Sequence, residues 1–391
     1  MFTKKHIVLT AVISIIISAI VAFLGTYFYF TFVKYDVVSR ARDIITENYV
    51  DPVSDKKIDT MNDYAISAMV GSLKDPYSYY FNAEDFSQYE ENTKEEYIGI
   101  GVTVNADSET GNIVVVAPTD NSPAQKAGIL PGDIIKKVDN LVAKSDNYDD
   151  VVNHIKGDGK EGTSVKIYIE RKGEEKVFDV KREVIPITTV SYKMIDDNVC
   201  YIRISEFKHN TVDEFSEGLK FLRKNQAKGL VIDLRSNPGG YADSVIKITD
   251  KLLPEGTIAY LEDNAGRKEY FYSDKDALNI PMTVLVNGGT ASASELLAGS
   301  TQAHKVAKII GTKTYGKAVG QTPYMLTEDT AIYLTNARYY TPRGECIDKK
   351  GIIPDIEIEM DEELKSQITS LDISLDTQLK TAVEVLYDDI K

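Results

Sequence analysis

A chain of 391 residues has room for two or three domains and a sizeable core. Its 45 Lys and Arg face 60 Asp and Glu, a formal net charge of −15, which argues against a broad phosphate-binding surface and against a nucleic-acid partner. Two cysteines, Cys200 and Cys346, make no disulfide framework, no Cys/His cluster has zinc spacing and no glycine-rich phosphate loop occurs, so neither a metal nor a cofactor is expected.

Ile7 to Val33 is an uncharged run rich in Ile, Val, Ala, Phe and Tyr, long enough to span a bilayer with some tilt. Lys4 and Lys5 precede it and favour an inside N-terminus, although Lys34 follows. Tyr27, Phe28, Tyr29, Phe30 and Phe32 sit where an interfacial aromatic belt would lie. The run is too long for a signal-peptide core, and no small-x-small cleavage site follows. Residues 1–34 therefore predict a cytoplasmic tail and an uncleaved transmembrane helix. The bulk of the chain is then extracytoplasmic and the protein is single-pass in the cell membrane.

Residues 35–92 form a helical region. Val37, Val38, Ala41, Ile44, Ile45 and Tyr49 recur at near-helical spacing within Asp36–Tyr49, and Ile58–Leu73 repeats the pattern. Pro52 and the turn Lys74-Asp75-Pro76-Tyr77-Ser78 punctuate it. This stretch speaks of packing or dimerisation and carries no chemistry.

From Tyr97 the pattern turns to strands. Tyr97-Ile98-Gly99-Ile100-Gly101-Val102 opens a run continuing through Val104, and Ile113–Val116 is a second strand. Ser122–Ile129 reads as a short helix with Pro in its first turn and Gly at its end. A strand at Ile134–Val138, a helix at Tyr148–Ile155, and strands at Val165–Glu170 and Lys176–Val180 complete the set. This order of elements, with Gly-Ile-Gly-Val and Ser-Pro-Ala-x-x-Ala-Gly-x-x-x-Gly-Asp, resembles a PDZ domain of the bacterial protease type over residues 93–182. The resemblance implies that an apolar C-terminal tail adds as a strand at a sheet edge, with Ile98, Gly99, Ile100 and Gly101 forming the loop that holds its carboxylate. PDZ modules also occur in scaffolds, so the domain does not separate an enzyme from an adaptor.

After Ile185-Pro186, strand Val199–Ile204, helix Thr211–Asn225 and strand Gly229–Leu234 give the rhythm of a mixed α/β layer fold. The apolar run Met282–Val286 is another buried strand, with helix-forming composition from Ala293 to Lys305. In such sheets ligand-binding groups gather beyond the carboxyl ends of strands. Gly239-Gly240 lies beyond one such end, and Ser292, behind the Gly288-Gly289 turn, lies beyond another. Asp233 and Arg235 read as a partly buried structural ion pair. Ser292 with Glu295 three residues on is also an ordinary capping box, so a nucleophile needs a base beside it.

His6 flanks the apolar run, His154 belongs to the PDZ-like helix, and His304 lies about 18 Å along the axis of the helix that Ser292 starts. His209 stands in a polar loop. A lysine with a desolvated amine is the other option, and Lys317 in Gly311-Thr312-Lys313-Thr314-Tyr315-Gly316-Lys317-Ala318-Val319-Gly320-Gln321 has glycine-rich, low-charge surroundings. Spacing alone leaves the choice open.

The middle serine of Ala291-Ser292-Ala293-Ser294-Glu295, Lys317 and Gln321 resemble the catalytic set of the carboxyl-terminal processing peptidases, or tail-specific serine proteases. Asp233-Leu234-Arg235-Ser236-Asn237-Pro238-Gly239-Gly240, Tyr339-Tyr340-Thr341-Pro342-Arg343-Gly344 and Gly351-Ile352-Ile353-Pro354-Asp355 agree with that family. So do Tyr49-Val50-Asp51 and Asp75-Pro76-Tyr77-Ser78. The resemblance implies Ser292 as nucleophile, Lys317 as general base and then acid, and Gln321 as the holder of the lysine amine. It further implies an oxyanion hole from backbone N–H groups of Ala293 and of Gly239 or Gly240. The implied fold is a multi-domain α/β chain with an αβα crotonase-like (ClpP/crotonase) protease core at 183–365, an inserted PDZ domain, and a C-terminal helix within 366–391. Thr290 stands where the family usually has Ser, and Lys156-Gly157 where relatives often have Arg-Gly.

The expected activity is that of a membrane-anchored serine endopeptidase cutting polypeptide substrates near exposed C-terminal tails. The rival from another class is a catalytically silent PDZ scaffold delivering tails to another protease. Intact Ser292, Lys317 and Gln321 weigh against it. A homodimer and an activating partner are both compatible with the sequence.

Overall fold

The structure is a computed structural model that describes residues 4–29, 37–360, 364 and 375–390. The chain folds as two units, one of residues 1–88 with 321–335, the other of residues 89–320 with 336–391.

In the first unit, α1 (Lys4–Phe28) covers most of the apolar run. The expected transmembrane span Ile7–Val33 lies partly outside the described residues. Among those described, no helix is long and apolar enough to cross a membrane. Helices α2 (Val37–Asn48) and α3 (Asp55–Gly71) follow at the places the periodicity indicates, joined by Arg42 Nη1 donating to Asn62 Oδ1 at 3.2 Å. Ser54 starts α3 by accepting from the Lys57 N–H. The Asp75–Ser78 turn is closed by Ser78 Oγ donating to Asp75 Oδ2, and β1 (Tyr79–Phe81) then stacks Tyr79 and Phe81 against Tyr333. Helix α4 (Ala83–Thr93) leads toward the second unit.

The second unit opens with the PDZ module. Strands β2 (Glu96–Gly99), β3 (Val102–Asp107), β4 (Asn112–Pro118), helix α5 (Pro123–Ala127), β5 (Ile134–Val138), β6 (Leu141–Val142), helix α6 (Tyr148–Lys156), β7 (Ser164–Arg171), β8 (Glu174–Lys181) and β9 (Glu183–Pro186) follow in the expected order. The antiparallel sheet runs β3-β4-β5-β7-β8, so β3 is an edge strand, while β2 pairs separately with β9. Ile113, Ile135, Val151, Ile155 and Ile167 fill its core. Gly128 ends α5 at φ 92°, the left-handed conformation that favours glycine. At the end of α6, Arg182 is buried and its guanidinium donates to Ile155 O (2.9 Å) and His154 O (2.8 Å), satisfying the orphan carbonyls of the last turn. Lys156 itself is exposed.

The core sheet runs β10 (Val190–Met194), β11 (Val199–Ile204), β12 (Gly229–Asp233), β15 (Met282–Val286), β16 (Ala307–Gly311), β19 (Ile356–Glu357), parallel from β11 onward. β12 and β15 are buried at every residue because both faces are covered. On one face Ile202, Ile232, Val284 and Ile309 pack with Phe215 of α7 (Thr211–Lys224), Val245 and Ile248 of α8 (Ala242–Asp250) and Leu297 of α9 (Ala293–His304). On the other, Val231, Leu285 and Ile310 pack with Leu379, Ala382 and Leu386 of α10 (Thr377–Asp389). This is the αβα layering. Strands β13 (Gly256–Asp263) and β14 (Lys268–Ser273) form a hairpin, and β13 also pairs with residues 337–340 of β18 (Ala331–Tyr340). β17 (Val319–Met325) lies between the lysine loop and β18.

Of the expected C-terminal helix within 366–391, residues 366–374 and 391 lie outside the described residues. The Asp233–Arg235 pair is wholly buried rather than partly so, and a third residue joins it. Arg235 Nη2 lies 2.6 Å from Asp233 Oδ2 and 2.8 Å from Asp376 Oδ2, while Asp376 Oδ1 caps α10 by accepting from the Leu379 N–H.

Candidate active site

Two loops leave the carboxyl ends of adjacent parallel strands, residues 234–241 after β12 and 287–292 after β15. Ser292 ends the second at φ 55°, ψ −117°, immediately before α9, and is half-buried. That conformation costs a non-glycine residue about 1–3 kcal/mol and places Ser292 at a strand-to-helix bend, the setting of a nucleophile elbow.

The neighbouring contacts hold this bend. Thr290 is buried, its hydroxyl donating to Leu234 O (2.8 Å) and accepting from the Asn287 N–H (3.0 Å). The hydroxyl is what the position requires, and threonine supplies it. Asn287 Oδ1 accepts from the Ser236 N–H (2.8 Å) and ties the two loops together.

Glu295 is fully buried, and its carboxylate gathers the Ser292 N–H (2.9 Å), the Lys317 N–H (2.8 Å), the Gly316 N–H (2.7 Å) and the Thr314 hydroxyl. Burial pushes this carboxyl up, and the four donors pull it back only in part. Tyr339 Oη lies 2.8 Å from Ser292 O and 2.7 Å from Lys317 O. Burial, then the charge of Glu295, raises its pKa well above the ordinary phenol value, so it stays a neutral donor. Lys317 is half-buried behind Gly316, which at φ 89° packs against the Gly351 N–H. The structure thus brings the backbones of Ser292 and Lys317 onto the same two side chains.

Gly239 and Gly240 take φ values of 104° and 140°. A Cβ on Gly239 would lie 2.9 Å from both Ser292 Cβ and Ala293 N, so this loop runs directly alongside the serine. The Gly239 N–H donates to Asn237 Oδ1 (2.9 Å), whereas among the described residues the N–H groups of Gly240 and Ala293 reach no protein acceptor. Asn237 is buried and also donates to Ile204 O (2.9 Å).

Gln321 belongs to the first unit, where its Nε2 donates to Thr335 Oγ1 at 3.2 Å. The histidines are engaged elsewhere. His209 is exposed, stacked 4.1 Å from Tyr241, and 3.7 Å from Asp243; His154 contacts Asp139 at 3.1 Å; His304 Nε2 lies 2.7 Å from Thr257 O. Among the described residues no cluster could hold a metal ion.

In the PDZ module, Ile98 and Gly99 belong to the β2–β9 pairing, and Ile100 and Gly101 form the turn into β3. Gly101 sits at φ 70° with a built Cβ only 2.4 Å from Ser122 Cβ, so the turn needs glycine there.

The sequence matches Peptidase family S41 over residues 198–358, a PDZ domain over 96–181 and the activating protease CtpB N-terminal domain over 30–85. The carboxy-terminal processing protease CtpA of Bacillus subtilis is 36% identical over 84% of this chain and 69% of its own length. A carboxy-terminal-processing protease of Bartonella bacilliformis is 37% identical over 83% of this chain and 76% of its own. Among solved structures, the photosystem II D1 C-terminal processing protease aligns over 88% of this chain and 96% of its own, with a TM-score of 0.51 and 25% identity. With the αβα core, the inserted PDZ module and the serine bend in place, these matches fix the relationship: the chain belongs to the carboxy-terminal processing proteases of peptidase family S41.

Proposed function

We propose that this protein is a serine endopeptidase cutting polypeptides near their C-termini through a Ser292–Lys317 pair. The observation that carries it is the shared suspension of both residues from Glu295 and Tyr339, beside a glycine loop whose Gly240 N–H reaches no acceptor among the described residues. Ser292 Oγ attacks the scissile carbonyl carbon while the neutral Lys317 amine takes its proton. The negative oxygen of the tetrahedral intermediate is received by the N–H groups of Ala293 and Gly240, Gly239 positioning the loop, at the start of α9 where the helix dipole adds partial positive charge. Lys317 returns the proton to the departing amine, and water, deprotonated by the same lysine, releases the acyl group. Gln321 is the residue proposed to hold the amine.

The PDZ module is the proposed receptor for the substrate's apolar tail, its carboxylate meeting the Ile98–Gly101 turn. The polypeptide acts outside the cytoplasm, held at the membrane by the apolar segment that includes α1, whose Ile15 and Phe23 are 68% and 69% exposed. The match to the CtpB N-terminal domain motivates a partner that switches activity.

Mass spectrometry of an unfolded test protein ending in apolar residues, incubated with wild type, Ser292→Ala, Lys317→Ala and His209→Ala, decides the chemistry. Cleavage is expected to vanish in the first two variants and persist in the third. Normal cutting by Lys317→Ala would overturn the lysine mechanism, and absence of cutting by wild type, with or without a partner fraction, would favour a scaffold.

A further inference from the structure

We infer that Tyr148 is a built-in competitor for the substrate tail, occupying the backbone acceptor on β3 that a bound tail would use. This rests on the tail-capture reading of the PDZ module.

β3 is an edge strand, and its residue Val104 lies opposite Val115 in the pairing with β4. Val115 turns both of its backbone groups the other way: its N–H donates to Asp133 O (2.8 Å) and its C=O accepts from the Gly132 N–H (2.8 Å). In an antiparallel pair of this kind the two residues exchange no hydrogen bonds, so the N–H and C=O of Val104 point outward from the sheet edge. An incoming strand would dock on that pair of groups. In this structure the carbonyl is already taken: Tyr148 Oη donates to Val104 O at 3.0 Å. Tyr148 is the first residue of α6, and its ring and the Val104 side chain are both partly buried against the module's core.

The register follows from the turn. With the tail carboxylate at Ile100-Gly101, Val102 begins the edge and Val104 lies about 7 Å farther along it. Because residues alternate in an antiparallel ladder, the tail residue that bonds Val104 is the third from the end. To seat it, the Tyr148 hydroxyl must leave Val104 O. Once displaced, the phenol stands beside that tail residue, so the cost of opening is met differently by different tails.

The test is fluorescence anisotropy with a labelled ten-residue peptide ending in apolar residues, added to the full chain carrying Ser292→Ala. The same peptide with an amidated C-terminus serves as the second probe. Tyr148→Phe keeps the ring and removes the competing donor; it is expected to bind the free-acid peptide roughly fivefold more tightly, the scale of one net hydrogen bond. Tyr148→Leu, which also removes the donor, should tighten binding in the same direction. Equal or weaker binding by both variants, with the amidated peptide still rejected, would overturn the competitor role while leaving tail capture intact. Equal binding of free-acid and amidated peptides by every form would overturn tail capture and the competitor role together.

Discussion

Ser292 and Lys317 hang from the same two side chains. Their N–H groups converge on one oxygen of Glu295, and their carbonyls converge on the single hydroxyl of Tyr339. A nucleophile and its proposed base, on different elements, are thereby tied through their backbones to the same two side chains.

Glu295→Gln should therefore damage activity out of proportion to its size change. The amide presents donors where the site supplies only donors, leaving backbone N–H groups unsatisfied at about 1–3 kcal/mol. We expect kcat/KM to fall at least about a hundredfold, following the geometric sensitivity of such sites, together with a lower thermal midpoint. Steady-state kinetics and calorimetry on one preparation would check both; full activity in a folded variant would refute the coupling.

Tyr339→Phe removes one donor and leaves two carbonyls without it. Net stability should drop by about 1 kcal/mol in urea unfolding. Because the lost contact positions rather than binds, kcat should fall while KM for a peptide substrate stays within about twofold. A pure KM effect would count against this role.

Two glycines give a matched pair. At Gly240 a Cβ would lie 2.1 Å from Phe207 O and the backbone sits at φ 140°, so Gly240→Ala must move the loop carrying the proposed oxyanion donor. At Gly288 the nearest atom is 4.0 Å away, and φ is not positive. Gly240→Ala should lose about 10²–10³ in kcat, the range for a missing oxyanion donor, while Gly288→Ala should stay within severalfold of wild type. Parallel progress curves would distinguish them.

Acid should weaken the fold through Asp233. Burial alone would raise its carboxyl, but the charge and hydrogen bonds of Arg235, with Arg203, more than offset this and hold it below the ordinary carboxylate range. A folded-state pKa below the unfolded one, about 3.9, means the stabilisation is present above that value and lost as pH falls through the folded one. Asp133, where the Arg171 guanidinium outweighs burial, behaves alike. Glu295 is raised and acts in the opposite sense. Urea midpoints measured from pH 7 to 2 should decline below about pH 4, and Asp376→Asn should lower the whole profile by about 3–5 kcal/mol by stripping a buried guanidinium of a partner.

The parts legible in the sequence are those written in local pattern. Val199–Ile204 and Met282–Val286 are apolar runs and are strands at those bounds; Pro123 and Gly128 bracket α5 as their backbone preferences require. Ser292 at a strand–helix junction was equally visible. Glu295 showed only its helix-capping half, since its other partners, Thr314, Gly316 and Lys317, come about twenty residues later on another loop. Asn237 and Tyr339 carry no local signal for their jobs: one reaches Ile204 and the other Ser292, 47 residues away. Arg182 escaped notice for the same reason, holding the end of a helix 27 residues upstream.

Asp376 lies 141 residues after Arg235, which stands within the loop that lines the serine and is also paired with Asp233. A ribosome makes the chain in one direction, so Arg235 emerges beside Asp233 but well before its second carboxylate, Asp376. Until α10 packs on the far face of the sheet, the guanidinium lacks that second carboxylate and Val231, Leu285 and Ile310 lack their cover. Closing the αβα core is therefore a long-range event that waits on the distant Asp376 contact of Arg235.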